Sequence, residues 1–131
     1  MRQIVLKEAV ELKLPAQQEM MLVLRLTTAG VVARAGLTVD RLDDVKLAVE
    51  EACSSLIYSE NPPERLCLRF EDQGESLVIR ICGDCECEGI PVNEDEAGIV
   101  RCILESLVDD VNVLGDGSRI RTLELRVALN Q

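Results

Sequence analysis

The chain has 131 residues, 47% of them apolar and 29% charged, the composition of a globular domain and not of a disordered segment. Acidic residues outnumber basic ones by 24 to 14, and the net charge of −10 opposes unaided binding to nucleic acid or anionic membrane, where Lys and Arg must replace counterions. The absence of histidine excludes histidine-based triads and histidine-ligated metals, and one Tyr with one Phe is too little for base stacking.

In chain order, Val10, Leu12 and Leu14 alternate with Glu11 and Lys13, which predicts a half-buried strand ending at Pro15. Residues 17–35 predict a long helix with Met20, Leu24, Val31 and Ala35 along its apolar side and Gly36 as its stop. Asp40 is the predicted N-cap of a second helix over residues 41–58, closed off by Asn61-Pro62-Pro63. Strands are predicted over 65–71 and 76–82, joined by a turn at Gln73-Gly74. A polar loop over 83–96 precedes a helix over 98–110 that turns Ile99, Ile103 and Leu107 one way. Strands over 111–114 and 119–129 flank a hairpin at 115–118, and the acidic pair Asp109-Asp110 is expected to be a solvated helix end. This order describes a single α+β domain over residues 1–131, a two-layer sandwich with helices on one face of a mixed, mostly antiparallel sheet. Met20-Met21 and the run Leu22–Leu26 leave apolar surface either for the core or for a partner face.

Lys7 and Glu8 interrupt the opening apolar run before a signal-peptide core forms, and Arg25 and Arg34 break the stretch from Met20 to Ala35. A cytoplasmic protein is therefore expected, with no membrane span and with its six cysteines as reduced thiols. Cys53 and Cys67 read as small apolar core residues.

The second helix carries the most chemistry. At 100° per residue, Leu42, Val45, Val49, Cys53 and Leu56 form a core stripe. Asp44, Ala48, Glu51 and Ser55 form a second row beside it, at steps of four, three and four. That row places two carboxylates and a hydroxyl on an edge that a ligand lying against the helical layer would meet, or else on a solvated flank.

The stretch Asp40–Ser55, with Glu11–Ala16 before it and Gly98–Asn112 after it, resembles the anti-sigma-factor serine kinases of the GHKL superfamily. The resemblance covers most of the chain and implies the ATP-binding sandwich of the Bergerat type, bacterial transcription regulation, and a sigma factor or a STAS-type anti-anti-sigma protein as partner, on a possible homodimer. It implies Glu51 as catalytic base, Mg²⁺ at Ser55 where the family carries asparagine, and nucleotide contacts at Asp84 and Gly98, beside which Asp44 of the helical row is a further candidate contact. The family's aspartate-x-glycine box falls on Gly83-Asp84-Cys85, where Asp84 serves only with a one-residue slip and no glycine follows at the needed spacing, and Val100 stands where a glycine would let backbone approach phosphate. These departures predict a regulatory protein that binds its partner through a degenerate ATP/Mg site; the alternatives are an active serine kinase and a cysteine-based module. For the last, Cys82, Cys85 and Cys87 have spacing suited to Zn or an iron–sulfur cluster, with Cys102 or a carboxylate as fourth ligand, or to a redox switch.

Overall fold

The computed structural model describes residues 8–59, 62–83, 90–91, 95–116 and 119–129. Six strands form one sheet: β1 (Glu8–Pro15), β2 (Arg65–Asp72), β3 (Ser76–Gly83), β4 (Ile90–Pro91), β5 (Asp110–Asp116) and β6 (Arg119–Ala128). Their order is β1-β2-β3-β6-β5-β4. Every pairing described is antiparallel, so the sheet is not mixed as expected. The two-residue β4 falls inside the segment read as loop; its Pro91 sits on an edge strand, where a missing N–H costs no ladder bond.

Three helices, α1 (Met21–Arg34), α2 (Val39–Ile57) and α3 (Asp95–Glu105), follow the predicted order. Strand alternation decides which residues meet them. Leu66, Leu68 and Phe70 of β2, Leu77, Ile79 and Ile81 of β3, and Leu123, Leu125 and Val127 of β6 enter one core with Leu24, Val45, Val49, Cys53 and Leu104 from the helices. The intervening residues, among them Cys67, Arg80, Cys82 and Glu124, project from the opposite face of the sheet.

The helix ends and faces differ from expectation in instructive ways. In α1 the buried stripe is Met21, Leu24, Thr28 and Val32, while Met20 and Val31 are half-buried beside it. Leu22, Val23 and Leu26 face outward, which settles the fate of the surplus apolar run. Helix α2 is capped by Thr38, whose hydroxyl accepts from the Arg41 N–H at 3.3 Å, and Asp40 lies in the first turn instead, where its charge complements the helix dipole. Helix α3 begins three residues before the predicted start and ends five before the predicted end. Its buried residues are Leu104 and, just beyond it, Val108, with Val100 and Leu107 packed alongside; Ile99 and Ile103 are 65% and 41% exposed. Two apolar stripes one residue apart compete on this helix, and the one continuous with Val111 of β5 is the one that reaches the core.

Two glycines are required by geometry. Gly36 ends α1 at φ +87° and Gly74 turns the β2–β3 hairpin at φ +91°, both in the left-handed region that favours glycine. Gly83 is held by space instead: a Cβ there would lie 2.6 Å from the Pro63 Cβ.

Candidate functional site

Helix α2 lies between α1 and α3, and each junction is tied. Arg25 of α1 donates to Glu50 of α2 at 2.6 Å. At the other junction Arg41 donates to the Asp109 carboxylate at 2.6 Å, and the same oxygen accepts from the Ala128 N–H of β6 at 2.8 Å. Asp109 is therefore an exposed clamp joining α2, the turn after α3 and the sheet, a role beyond that of the solvated helix end expected from sequence. Two carboxylates in succession give no sign of which one is engaged until the turn after α3 is known. At the far end of α2, Tyr58 hydrogen-bonds Gln18 in the short 3-10 turn (Gln18–Met20) that leads into α1.

Between α2 and α3 opens a cleft of about 240 Å³ lined by Glu51, Ser54, Ser55, Val100 and Ile103. The helical row anticipated from spacing is thus partly assembled. Glu51 is exposed and Ser55 half-buried, and both line the cleft. Ala48 is fully buried in the core, because the row lies close enough to the core stripe for a methyl group to join it. Asp44 is half-buried two turns before Glu51 and is not among the lining residues. Ser54 was missed: it lies one residue from Ser55 and off the counted row, and only the approach of α3 makes it part of the wall. Ile103, expected to share a face with Ile99 and Leu107, forms the apolar side of the mouth with Val100.

Gly98 is exposed near the start of α3, and a Cβ built there meets nothing within 4 Å. Asp84, Cys85 and Cys87 lie outside the described residues. Cys82 is buried at the end of β3 but faces away from the helices, whereas Cys102 is exposed on α3, so the sheet separates the two. Cys102 therefore does not complete a metal site with Cys82, and among the described residues no group of three metal-ligating side chains occurs. Cys67 is buried, yet strand alternation turns it out of the core expected to hold it, and it is disulfide-bonded, so the six cysteines are not all thiols. Cys53 does belong to the core, and burial, assisted by the nearby Glu50 charge, pushes its thiol pKa far up.

The described lining fits Mg-nucleotide poorly. The Ser55 hydroxyl donates to the Ala52 carbonyl of its own helix at 2.7 Å, a short side chain turned back on the backbone. The volume also lies below the roughly 300 Å³ at which small-molecule pockets begin.

An antiparallel sheet covered on one face by three helices, with a cleft between the second and third, defines the class: a two-layer α+β sandwich. No family model matches the chain. Serine-protein kinase RsbW of Bacillus thuringiensis (strain Al Hakam) is 29% identical over 126 residues, covering 83% of this chain and 79% of that protein. Serine-protein kinase RsbW of Bacillus subtilis (strain 168) is 40% identical over 75 residues, 53% of this chain and 47% of its own. Among solved structures, the crystal structure of the RsbU and RsbW domains of Rv1364c from Mycobacterium tuberculosis matches with a TM-score of 0.68 and 12% identity over 92% of this chain. The chain spans 32% of that longer protein. The chain resembles the anti-sigma-factor serine kinases in sequence and carries the corresponding fold.

Proposed function

We propose that this chain is an anti-sigma-type regulatory protein of the bacterial cytoplasm that acts by binding a protein partner, with a degenerate nucleotide site. The partner is a sigma factor or a STAS-type anti-anti-sigma protein, and a homodimer is the form that presents the chain to it. The observation that carries this reading is the lining of the α2–α3 cleft: one carboxylate, two serines and two branched apolar side chains, with no Lys or Arg among the described residues that line it. With 24 acidic against 14 basic residues, the chain favours a partner that offers basic surface.

The relatives named serine-protein kinase favour a second reading, in which Glu51 takes the proton from a serine hydroxyl of the partner as general base. Isothermal titration with Mg-ATP and Mg-ADP separates the two. No heat up to millimolar nucleotide is expected. Saturation at one nucleotide per chain with a dissociation constant at or below about 100 μM, or about −5.5 kcal/mol, overturns the degenerate site and supports the kinase.

A further inference from the structure

Two successive carboxylates of α2 differ in what they meet. Glu50 accepts from Arg25 at 2.6 Å and ties α2 to α1. Glu51 is exposed at the cleft between α2 and α3, and its side chain has no hydrogen bond or ion pair among the described residues. The Ser54 hydroxyl is without a partner among them as well. Ser55 gives its proton to the Ala52 carbonyl, which leaves its oxygen lone pairs as acceptors. The α2 side of the cleft thus offers a carboxylate and two hydroxyl oxygens, and the α3 side offers the branched apolar surface of Val100 and Ile103.

Charge selects the occupant. Glu51 is the one charged residue among those described as lining the cleft, and the sequence from Asp84 to Val100, which runs into α3, contains acidic residues such as Glu94, Asp95 and Glu96 and no Lys or Arg. That balance opposes an anion and favours a cation. The apolar side asks in addition for an aliphatic body. A lysine side chain has both, a flexible four-carbon stem that lies along apolar surface and an ammonium head that stays near water. Its three donors match in number the carboxylate and the two hydroxyl oxygens, whereas the planar fork of arginine suits one carboxylate held in a bidentate pair.

We propose that the α2–α3 cleft is a docking site for one lysine side chain of a protein partner. The stem packs on Val100 and Ile103, and the ammonium donates to the Glu51 carboxylate and to the hydroxyl oxygens of Ser54 and Ser55. The proposal rests on the reading of this cleft as a degenerate nucleotide site in a partner-binding protein, and it names the feature of the partner that the cleft takes.

The test follows the backbone amide signals of the isotope-labelled full chain by NMR. Three blocked tripeptides are added in separate titrations: acetyl-Gly-Lys-Gly-amide, its Nε-acetyl-lysine form, and acetyl-Gly-Arg-Gly-amide. The lysine peptide is expected to shift the signals of Glu51, Ser54, Ser55, Val100 and Ile103 and to saturate with a dissociation constant of about 1 mM, the weak affinity of a single side chain outside its protein. The Nε-acetyl form on the wild-type chain, and the lysine peptide on Glu51→Gln, are each expected to bind about threefold or more weakly, the loss of one exposed charge pair. Cleft signals that stay in place at roughly 10 mM lysine peptide, or equal binding of the Nε-acetyl form, overturn the proposal. An arginine peptide that binds as tightly as the lysine peptide overturns the choice of lysine. Neither partner nor nucleotide enters this titration, so its failure is separate from that of the reading beneath it. A chain that binds its sigma or STAS-type partner and ignores the lysine peptide keeps the partner and loses this site, whereas one that takes up Mg-ATP loses the degenerate site itself.

Discussion

Replacing Leu104 by alanine tests the face that α3 turns to the core. Leu104 is fully buried and is the one residue of α3 with no exposure among those whose side chains are described. The substitution removes three carbons, about 2.4 kcal/mol of transfer at about 0.8 kcal/mol each. The cavity left between helix and sheet adds to this, for about 3 kcal/mol in total. Ile103 is 41% exposed at the cleft mouth, so Ile103→Ala loses only part of its transfer term and encloses no cavity. Alanine's better helix propensity returns a few tenths of a kcal/mol, leaving a loss of about 1 kcal/mol or less. Urea unfolding followed by circular dichroism reads both: with a slope of about 1.5 kcal/mol per molar, the midpoint falls by about 2 M for Leu104→Ala and by about 0.5 M for Ile103→Ala. Equal losses, or a larger one at Ile103, would refute the orientation of α3 and with it the wall of the cleft.

Thr38→Ala should cost about 1 kcal/mol through the lost cap and Asp40→Ala only a few tenths, measured by the same unfolding; the reverse order would restore Asp40 as cap. Glu124 is pushed up by its partial burial, but hydrogen bonds from Arg80 and Asn112 and the charges of Arg80 and Arg126 outweigh this and hold its carboxyl below the usual range. Because the folded value is the lower one, the stabilisation is present above the ordinary carboxylate value of about 4.3 and is lost as pH falls through the folded value. Glu124→Gln should therefore melt below wild type at pH 7, and the gap should close toward pH 3; a gap independent of pH contradicts the assignment. Iodoacetamide on the native chain should label the exposed Cys102 and leave Cys53 unlabelled until denaturant is added, since the Cys53 thiol is both enclosed and resistant to ionisation.

Local chemistry made much of this fold legible. Strand alternation in Leu66-Cys67-Leu68 and Leu77 to Ile81, the left-handed glycines and the core stripe of α2 all agree with the tertiary answer, because each is set by neighbours in the chain. The same alternation was enough to turn Cys67 away from the core, had it been applied to that residue. In α1 and α3, by contrast, apolar residues occupy adjacent stripes, and helical period alone does not choose between Ile103 and Leu104 or between Met20 and Met21. The sheet makes that choice. The cleft was legible at Glu51 and Ser55, which share an edge of one helix; Ser54 and the Asp109 clamp depend on contacts between elements far apart in sequence, and spacing carries no trace of them.

The central claim is that this sandwich binds a protein partner without help from nucleotide. Its most direct test is titration of the purified chain, free of nucleotide, with sigma factors and STAS-type proteins of the organism that encodes it. A one-to-one complex with a dissociation constant at or below about 1 μM, or about −8.2 kcal/mol, is the predicted result. Binding that appears only when Mg-ATP is added, or no complex with either class at tens of micromolar, would contradict it.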